Sequence, residues 1–407
     1  MLKFWNGLAI ASCVTGLAAI GCGGGDQASQ GWVPVPSDDG GGGSATVSSG
    51  VGGQPPPKPT ICPDASDVFE VDPAPSNLLV LLDRSGSMHL RIDEQNTRWS
   101  LTKAGLGEIL KTLPSDTAAG LAMFPSGDQP ISCCEVTSGN YISCNCTASE
   151  LPGPESRCEA AAYDELAVDV APLSPVQAEK IMASVAASDE EFYWGTPLAA
   201  ALAGSLDRAT KLNLDGVTSV VLLTDGLPTS CHTSEDPEAN DVALAIDAVT
   251  DGLNSGVRTY VVGIDGEAAS SDPATNLAVN LSVLAEAGGT ATSPDCAMDN
   301  SCAYLVNVDN FETALSSALG SIALEAASCT FELPMPSGGT PDYDAVNITV
   351  ATGSTNHTIA RDKAHHNGWD YLPAKDKVQL YGSACELLKA DAEAKVEVVV
   401  GCKTIEN

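Results

Sequence analysis

Asn77-Leu78-Leu79-Val80-Leu81-Leu82-Asp83-Arg84-Ser85-Gly86-Ser87 sets an unbroken apolar run directly before a cluster of short oxygen-bearing side chains. Leu78 to Leu82 shows no polar alternation, which predicts a parallel strand covered on both faces. Val220 to Leu223 and Tyr260 to Ile264 have the same character. Between such runs, apolar residues recur at helical spacing: Leu106, Ile109, Leu110 and Leu113; Val242, Ile246, Val249 and Leu253; Leu277, Leu281 and Leu284; Phe311, Leu315, Leu319 and Ile322. Alternating buried strands and one-faced helices predict an α/β fold with a doubly wound, mostly parallel, Rossmann-like sheet. After Cys329 the texture changes to short β-like stretches, Ala345 to Val350, Val378 to Tyr381 and Val396 to Val400, separated by Gly, Pro and Asn. Residues 329–407 read as a small β-rich module closed by cysteines.

Asp83-Arg84-Ser85-Gly86-Ser87 falls at the carboxyl edge of the sheet, where open α/β sheets bind their ligands. Two further segments follow in order, Trp194-Gly195-Thr196-Pro197-Leu198 before a helix and Thr224-Asp225-Gly226 at the end of a strand. Each has an ordinary reading, since Asp, Ser and Gly build turns and Thr-Pro starts helices. Together they resemble the metal-ion-dependent adhesion site of von Willebrand factor type A (VWA) domains, and the resemblance covers about residues 74–328. It implies a cation held by Asp83, Ser85, Ser87, Thr196 and Asp225. The hydroxyls of Ser85 and Ser87 would bind directly, Thr196 directly or through water, and the two carboxylates mostly through water. An all-oxygen set suits Mg2+, with Ca2+ or Mn2+ as alternatives. An exchangeable position would accept an Asp or Glu from a protein partner. The resemblance further implies that ligation is coupled to movement of the last helix, Asn310 to about Ala327.

The VWA topology also distributes the cysteines. It places the insertion at about 126–162, with Cys133, Cys134, Cys144, Cys146 and Cys158, beside the metal together with Cys231. Cys62, Cys296, Cys302, Cys329, Cys385 and Cys402 fall at the opposite pole, so disulfides should form within each set. A zinc cluster at Cys133, Cys134, Cys144 and Cys146 is the rival, against which the spacing speaks. The insertion has little apolar sequence of its own, so its expected use is to shape the rim of the site and select partners.

The N-terminus carries Lys3, an apolar run from Leu8 to Ile20, and Ala19-Ile20-Gly21-Cys22. This resembles a lipoprotein signal peptide over residues 1–21, with Cys22 as the lipidated residue; Ile10-Ala11-Ser12-Cys13 is a second candidate that leaves too short an apolar stretch. Residues 22–61 hold 11 glycines and a proline cluster at 55–59, a flexible tether spanning roughly 35 Å. The VWA domain is then expected over 62–328. Of the 14 cysteines, Cys13 would leave with the signal and Cys22 would carry the lipid; the rest, an even number in an exported chain, read as disulfides. With 19 basic against 53 acidic side chains the net charge is -34, which repels nucleic acid.

No GxSxG, HExxH or GxxxxGK[ST] motif occurs, so no enzymatic activity is expected. His89 and His232 lie near the metal loops and are expected as solvated surface residues. Trp194 reads equally as a partner contact or as packing beneath its loop. The acidic stretch Glu235, Asp236, Glu238 and Asp241 fits a helix start. The expected function is a cell-envelope protein, lipid-anchored, by mild preference at the outer membrane, that binds a protein through the metal in adhesion or envelope interactions. The alternatives are an adaptor subunit of a metal-dependent enzyme assembly, and a structural protein with a stabilising metal. The oligomeric state stays open.

Overall fold

The computed structural model describes residues 67–407 apart from 115–116, 127–129, 148–149, 151–156, 213, 229–230, 232–236, 266–275, 294, 308–310, 336–338, 340–341, 354 and 392–393. The signal segment, Cys22, the tether, Cys62 and His232 lie outside the described residues.

A six-stranded sheet forms the centre of an α/β fold, in the order β6-β3-β2-β7-β8-β9. Its strands are β2 (Ser76–Asp83), β3 (Ala118–Phe124), β6 (Val168–Pro172), β7 (Val217–Thr224), β8 (Arg258–Asp265) and β9 (Tyr304–Asn307). All are parallel except β6, which runs antiparallel to β3 at one edge. Every residue of β2 is buried, as its unalternating sequence requires for a strand covered on both faces.

Helices α1 (Arg98–Thr112), α2 (Pro175–Ala187) and α6 (Phe311–Ser328) cover one face; α3 (Leu198–Thr210), α4 (Pro237–Asn254) and α5 (Leu277–Ala287) cover the other. Local sequence starts three of them: Thr97 and Ser100 form a capping box for α1, Ser174 caps α2 ahead of Pro175, and Asn276 caps α5. Two cores result. Leu106, Ile109, Leu110, Leu315, Leu319 and Ile322 pack under α1 and α6, while Leu202, Leu206, Val249, Leu281 and Leu284 pack on the opposite face.

The C-terminal region folds as two small antiparallel sheets around a shared core. One has the order β1-β15-β11-β12, from Asp67–Val71, Lys395–Val400, Val346–Thr352 and Thr355–Ile359. The other has the order β10-β14-β13, from Thr330–Glu332, Lys377–Tyr381 and Gly368–Tyr371, with helix α7 (Ser383–Lys389) beside it. Trp369, Phe331, Ile348 and Val398 fill the space between them.

Here the expected domain limits need correction. β1 falls within the stretch assigned to the large domain, yet it is the edge strand of the C-terminal module, paired from Asp67↔Val400 to Val71↔Val396. Only a partner more than 300 residues away decides where this short strand belongs. The chain therefore leaves the module at Pro73, passes through the α/β layers, and returns at Cys329.

Candidate functional site

β2 and β7 are neighbours, and the chain departs from β2 toward β3 on one side while β7 continues the sheet on the other. Their carboxyl ends meet at the switch point where such sheets open a crevice. Asp83 ends β2 and Asp225 follows β7, so two residues 142 positions apart are brought together at one edge.

Hydrogen bonds assemble the loops. Ser85 N donates to Asp83 Oδ1 at 2.8 Å, and Thr224 Oγ1 donates to Asp83 Oδ2 at 2.7 Å. The Ser85 and Ser87 hydroxyls are 3.0 Å apart, and Ser87 Oγ donates to Asp225 Oδ1 at 2.7 Å. Thr196 is buried, and a Cβ placed on Gly226 would lie 3.7 Å from its Oγ1, so the third segment closes on the same crevice. Helix α3 begins at Leu198 with Pro197 in the cap position. Thr196 therefore stands two residues ahead of the helix, one before the cap, and does not serve as its N-cap. Two glycines permit this assembly: Gly195 adopts φ +77°, and a Cβ on Gly86 would come within 2.2 Å of the Phe192 ring.

The electrostatics are those of a buried pair of carboxylates. Asp83 is fully buried and Asp225 nearly so. Burial and the Asp225 charge push Asp83 up to about 7. Burial raises Asp225 as well, against the opposing pull of Arg98. Arg98 Nη1 donates to Asp225 Oδ2 at 2.7 Å from the first turn of α1. Sequence reading missed this residue. Its signal was a cation at a helix start, where the dipole disfavours it.

The five oxygen-bearing residues thus lie around one crevice in which Arg98 is paired with one of two buried carboxylates, and their chemistry fits a hard divalent cation. Asp83, Ser85, Ser87 and Asp225 are linked directly, and Thr196 is adjacent through Gly226.

The insertion touches all three loops. Ile131 N donates to Phe192 O at 2.7 Å, ahead of Thr196. Asn140, at the tip of the hairpin made by β4 (Cys134–Val136) and β5 (Ile142–Cys144), accepts from Arg91 N at 2.6 Å and donates to Arg91 O at 2.9 Å. Cys158 is disulfide-bonded to Cys231, six residues past Asp225. Cys133–Cys146 and Cys134–Cys144 staple the hairpin, which removes the thiolates a zinc cluster would need. Cys296–Cys302 and Cys329–Cys385 lie within the opposite set, so the five described pairings keep the two sets apart.

His89 is corrected. It is not a solvated surface residue: its ring stacks against Trp99 and Phe192, Nε2 donates to Glu191 O at 2.9 Å, and burial lowers its pKa. Trp194 is 40% exposed and Tyr141, at the hairpin tip, is 62% exposed. Arg84 is tied down by Pro125 O at 3.0 Å and by the Tyr193 ring 3.9 Å away.

No protein-family model and no curated protein matches this sequence. Among solved structures it is similar to the pilus adhesin SpaC from Lactobacillus rhamnosus GG, at 14% identity over 81% of this chain and 39% of that one, TM-score 0.40. A mutant of the PilB minor pilin from Streptococcus sanguinis matches at 12% identity over 63% and 61%, TM-score 0.37. The manganese-loaded TRAP protein of Plasmodium vivax matches at 12% identity over 62% and 76%, TM-score 0.34. The chain spans well under half the length of the adhesin. Strand order and direction, rather than these likenesses, define the α/β fold.

Proposed function

We propose that this chain is a cell-envelope protein that captures a protein partner through a divalent cation held by Asp83, Ser85, Ser87, Thr196 and Asp225. One observation carries the reading: two buried carboxylates and three hydroxyls from segments far apart in sequence meet at the switch point of the sheet. When bound, the cation supplies an electrophilic position that an Asp or Glu of the partner can fill. Asp83 and Asp225 provide the charge that attracts it, and the hydrogen bonds to Thr224 and Ser87 hold their oxygens in place. Mg2+ is the first candidate, with Ca2+ and Mn2+ next.

The insertion, tied to each of the three loops, forms the rim on which partners are selected. The N-terminal signal, with Cys22 as lipid attachment and residues 22–61 as tether, supports a location at the envelope, with the outer membrane preferred. The role is one of binding and not catalysis. Among the described residues no helix is long and apolar enough to cross a membrane.

Capture of partners from envelope extracts, in Mg2+, in EDTA, and with Asp83→Ala or Ser85→Ala, tests the reading. Partner capture is expected only with Mg2+ and the intact site. Capture indifferent to chelation and to both substitutions would refute it. A hydrolase in the captured set would point to the adaptor role instead, and collapse of the fold in EDTA would point to a purely stabilising metal.

A further inference from the structure

Arg98 is 6% exposed, and among the described residues its guanidinium makes the single ion pair found at either Asp83 or Asp225. Nothing in its own helix explains its place. It follows the Thr97 cap directly, in the first turn of α1, where a cation faces the positive end of the helix dipole. Burying a guanidinium there is tolerable only because Asp225 balances it. Its other anchor is the backbone: Arg98 N donates to Leu90 O at 3.1 Å, just beyond the Ser85 and Ser87 loop, and Thr102 Oγ1 donates to Arg98 O at 2.8 Å. One residue thus links the start of α1, the loop after β2 and the carboxylate after β7.

We infer that Arg98 is a built-in counter-cation, a positioning residue that keeps the empty site assembled and holds its affinity for a divalent ion below what two buried carboxylates would otherwise give. With Arg98 in place, an arriving cation meets a pair of carboxylates already offset by one positive charge. Without it, both negative charges would act on the cation undiminished in a poorly solvated crevice. Two effects follow together. The three loops need no bound ion to stay in register, because Asp225 Oδ2 is held by Arg98 and Oδ1 by Ser87. An ion also leaves more readily, since the guanidinium repels it while it is bound. The site is thereby suited to reversible loading and not to permanent structural metal.

This inference rests on the metal reading above and is tested apart from it by comparing the wild-type chain with Arg98→Gln and Arg98→Lys. Calorimetric titration with MgCl2 and thermal melting in EDTA and in saturating Mg2+ are the readouts. Arg98→Gln should bind Mg2+ at least about tenfold more tightly than wild type. It should melt lower in EDTA and recover most of the loss in Mg2+, while Arg98→Lys, which keeps the charge, should stay near wild type in both. If Arg98→Gln is unfolded in EDTA, refolding on addition of Mg2+ supports the inference, and failure to refold overturns it. Mg2+ uptake by both proteins with Arg98→Gln no tighter than wild type overturns the role of Arg98 alone. Uptake by neither removes the metal reading itself.

Discussion

Ser87 Oγ donates to Asp225 Oδ1 across 2.7 Å, joining the loop after β2 to the loop after β7 over a sequence distance of 138 residues. The contact holds one carboxylate oxygen and one hydroxyl side by side at the crevice floor. Ser87→Ala removes a proposed ligand that also orients Asp225, so it should leave the fold intact and weaken Mg2+ uptake by at least about 10–100-fold, the loss usual when an orienting group alone is removed. Calorimetry checks this, and unchanged affinity in a folded variant would contradict it.

The pH dependence has a definite sign. Burial and Asp225 raise Asp83 from the ordinary carboxylate range to about 7, so between roughly pH 4 and 7 the folded chain holds a proton there that the unfolded chain has lost. In EDTA this contribution to stability is present at low pH and disappears as pH rises through 7. Cation binding needs the ionised carboxylate and runs the other way. The rise in melting temperature caused by Mg2+ should be larger at pH 8 than at pH 5.5, and Asp83→Asn should remove the Asp83 part of the EDTA trend. An equal Mg2+ effect at both pH values would refute this account.

Cys158–Cys231 closes a loop of 73 residues that contains β6, α2, α3 and β7. Replacing both cysteines with serine should lower stability by about 2–4 kcal/mol. Urea denaturation reads the change, and an unmoved midpoint would mean that the tie bears no strain on unfolding. Because this bond also anchors the insertion to the Asp225 loop, partner capture in Mg2+ should fall as well.

Trp369 is fully buried between the two sheets of the C-terminal module, with the Tyr371 ring edge-on at 5.1 Å. Trp369→Ala should cost about 3–5 kcal/mol through lost packing and the cavity left behind. Mg2+ affinity should persist, because the module attaches at the edge of the sheet opposite the crevice. Parallel loss of Mg2+ binding in a folded variant would show that the two regions are coupled.

Trp194, two positions before Thr196, and Tyr141, at the tip of the hairpin, are large exposed aromatic residues. Aromatic residues at such rims are frequent binding hot spots. Trp194→Ala should reduce partner capture severalfold while leaving Mg2+ uptake unchanged, as measured by pull-down and calorimetry on the same preparation. Undiminished capture would assign Trp194 to loop packing instead.

The α/β class and the buried faces of the helices were legible in the sequence, as was the set of five oxygen-bearing residues proposed to hold a cation. Each rests on a signal carried within a few residues: unalternating apolar runs such as Leu78 to Leu82, the spacing of Phe311, Leu315, Leu319 and Ile322, and polar clusters at strand ends. Separation of the cysteines into two sets came from the topology that the resemblance implies, and the five described disulfides keep to it. Tertiary structure alone decided that Asp67–Val71 belongs to the C-terminal module, that His89 is enclosed by Trp99 and Phe192, that Arg98 reaches Asp225, and that the insertion grips three separate loops. These facts depend on contacts between residues tens to hundreds of positions apart. Local periodicity reports which face of an element is buried, but it carries no information about the particular side chain that will meet it there.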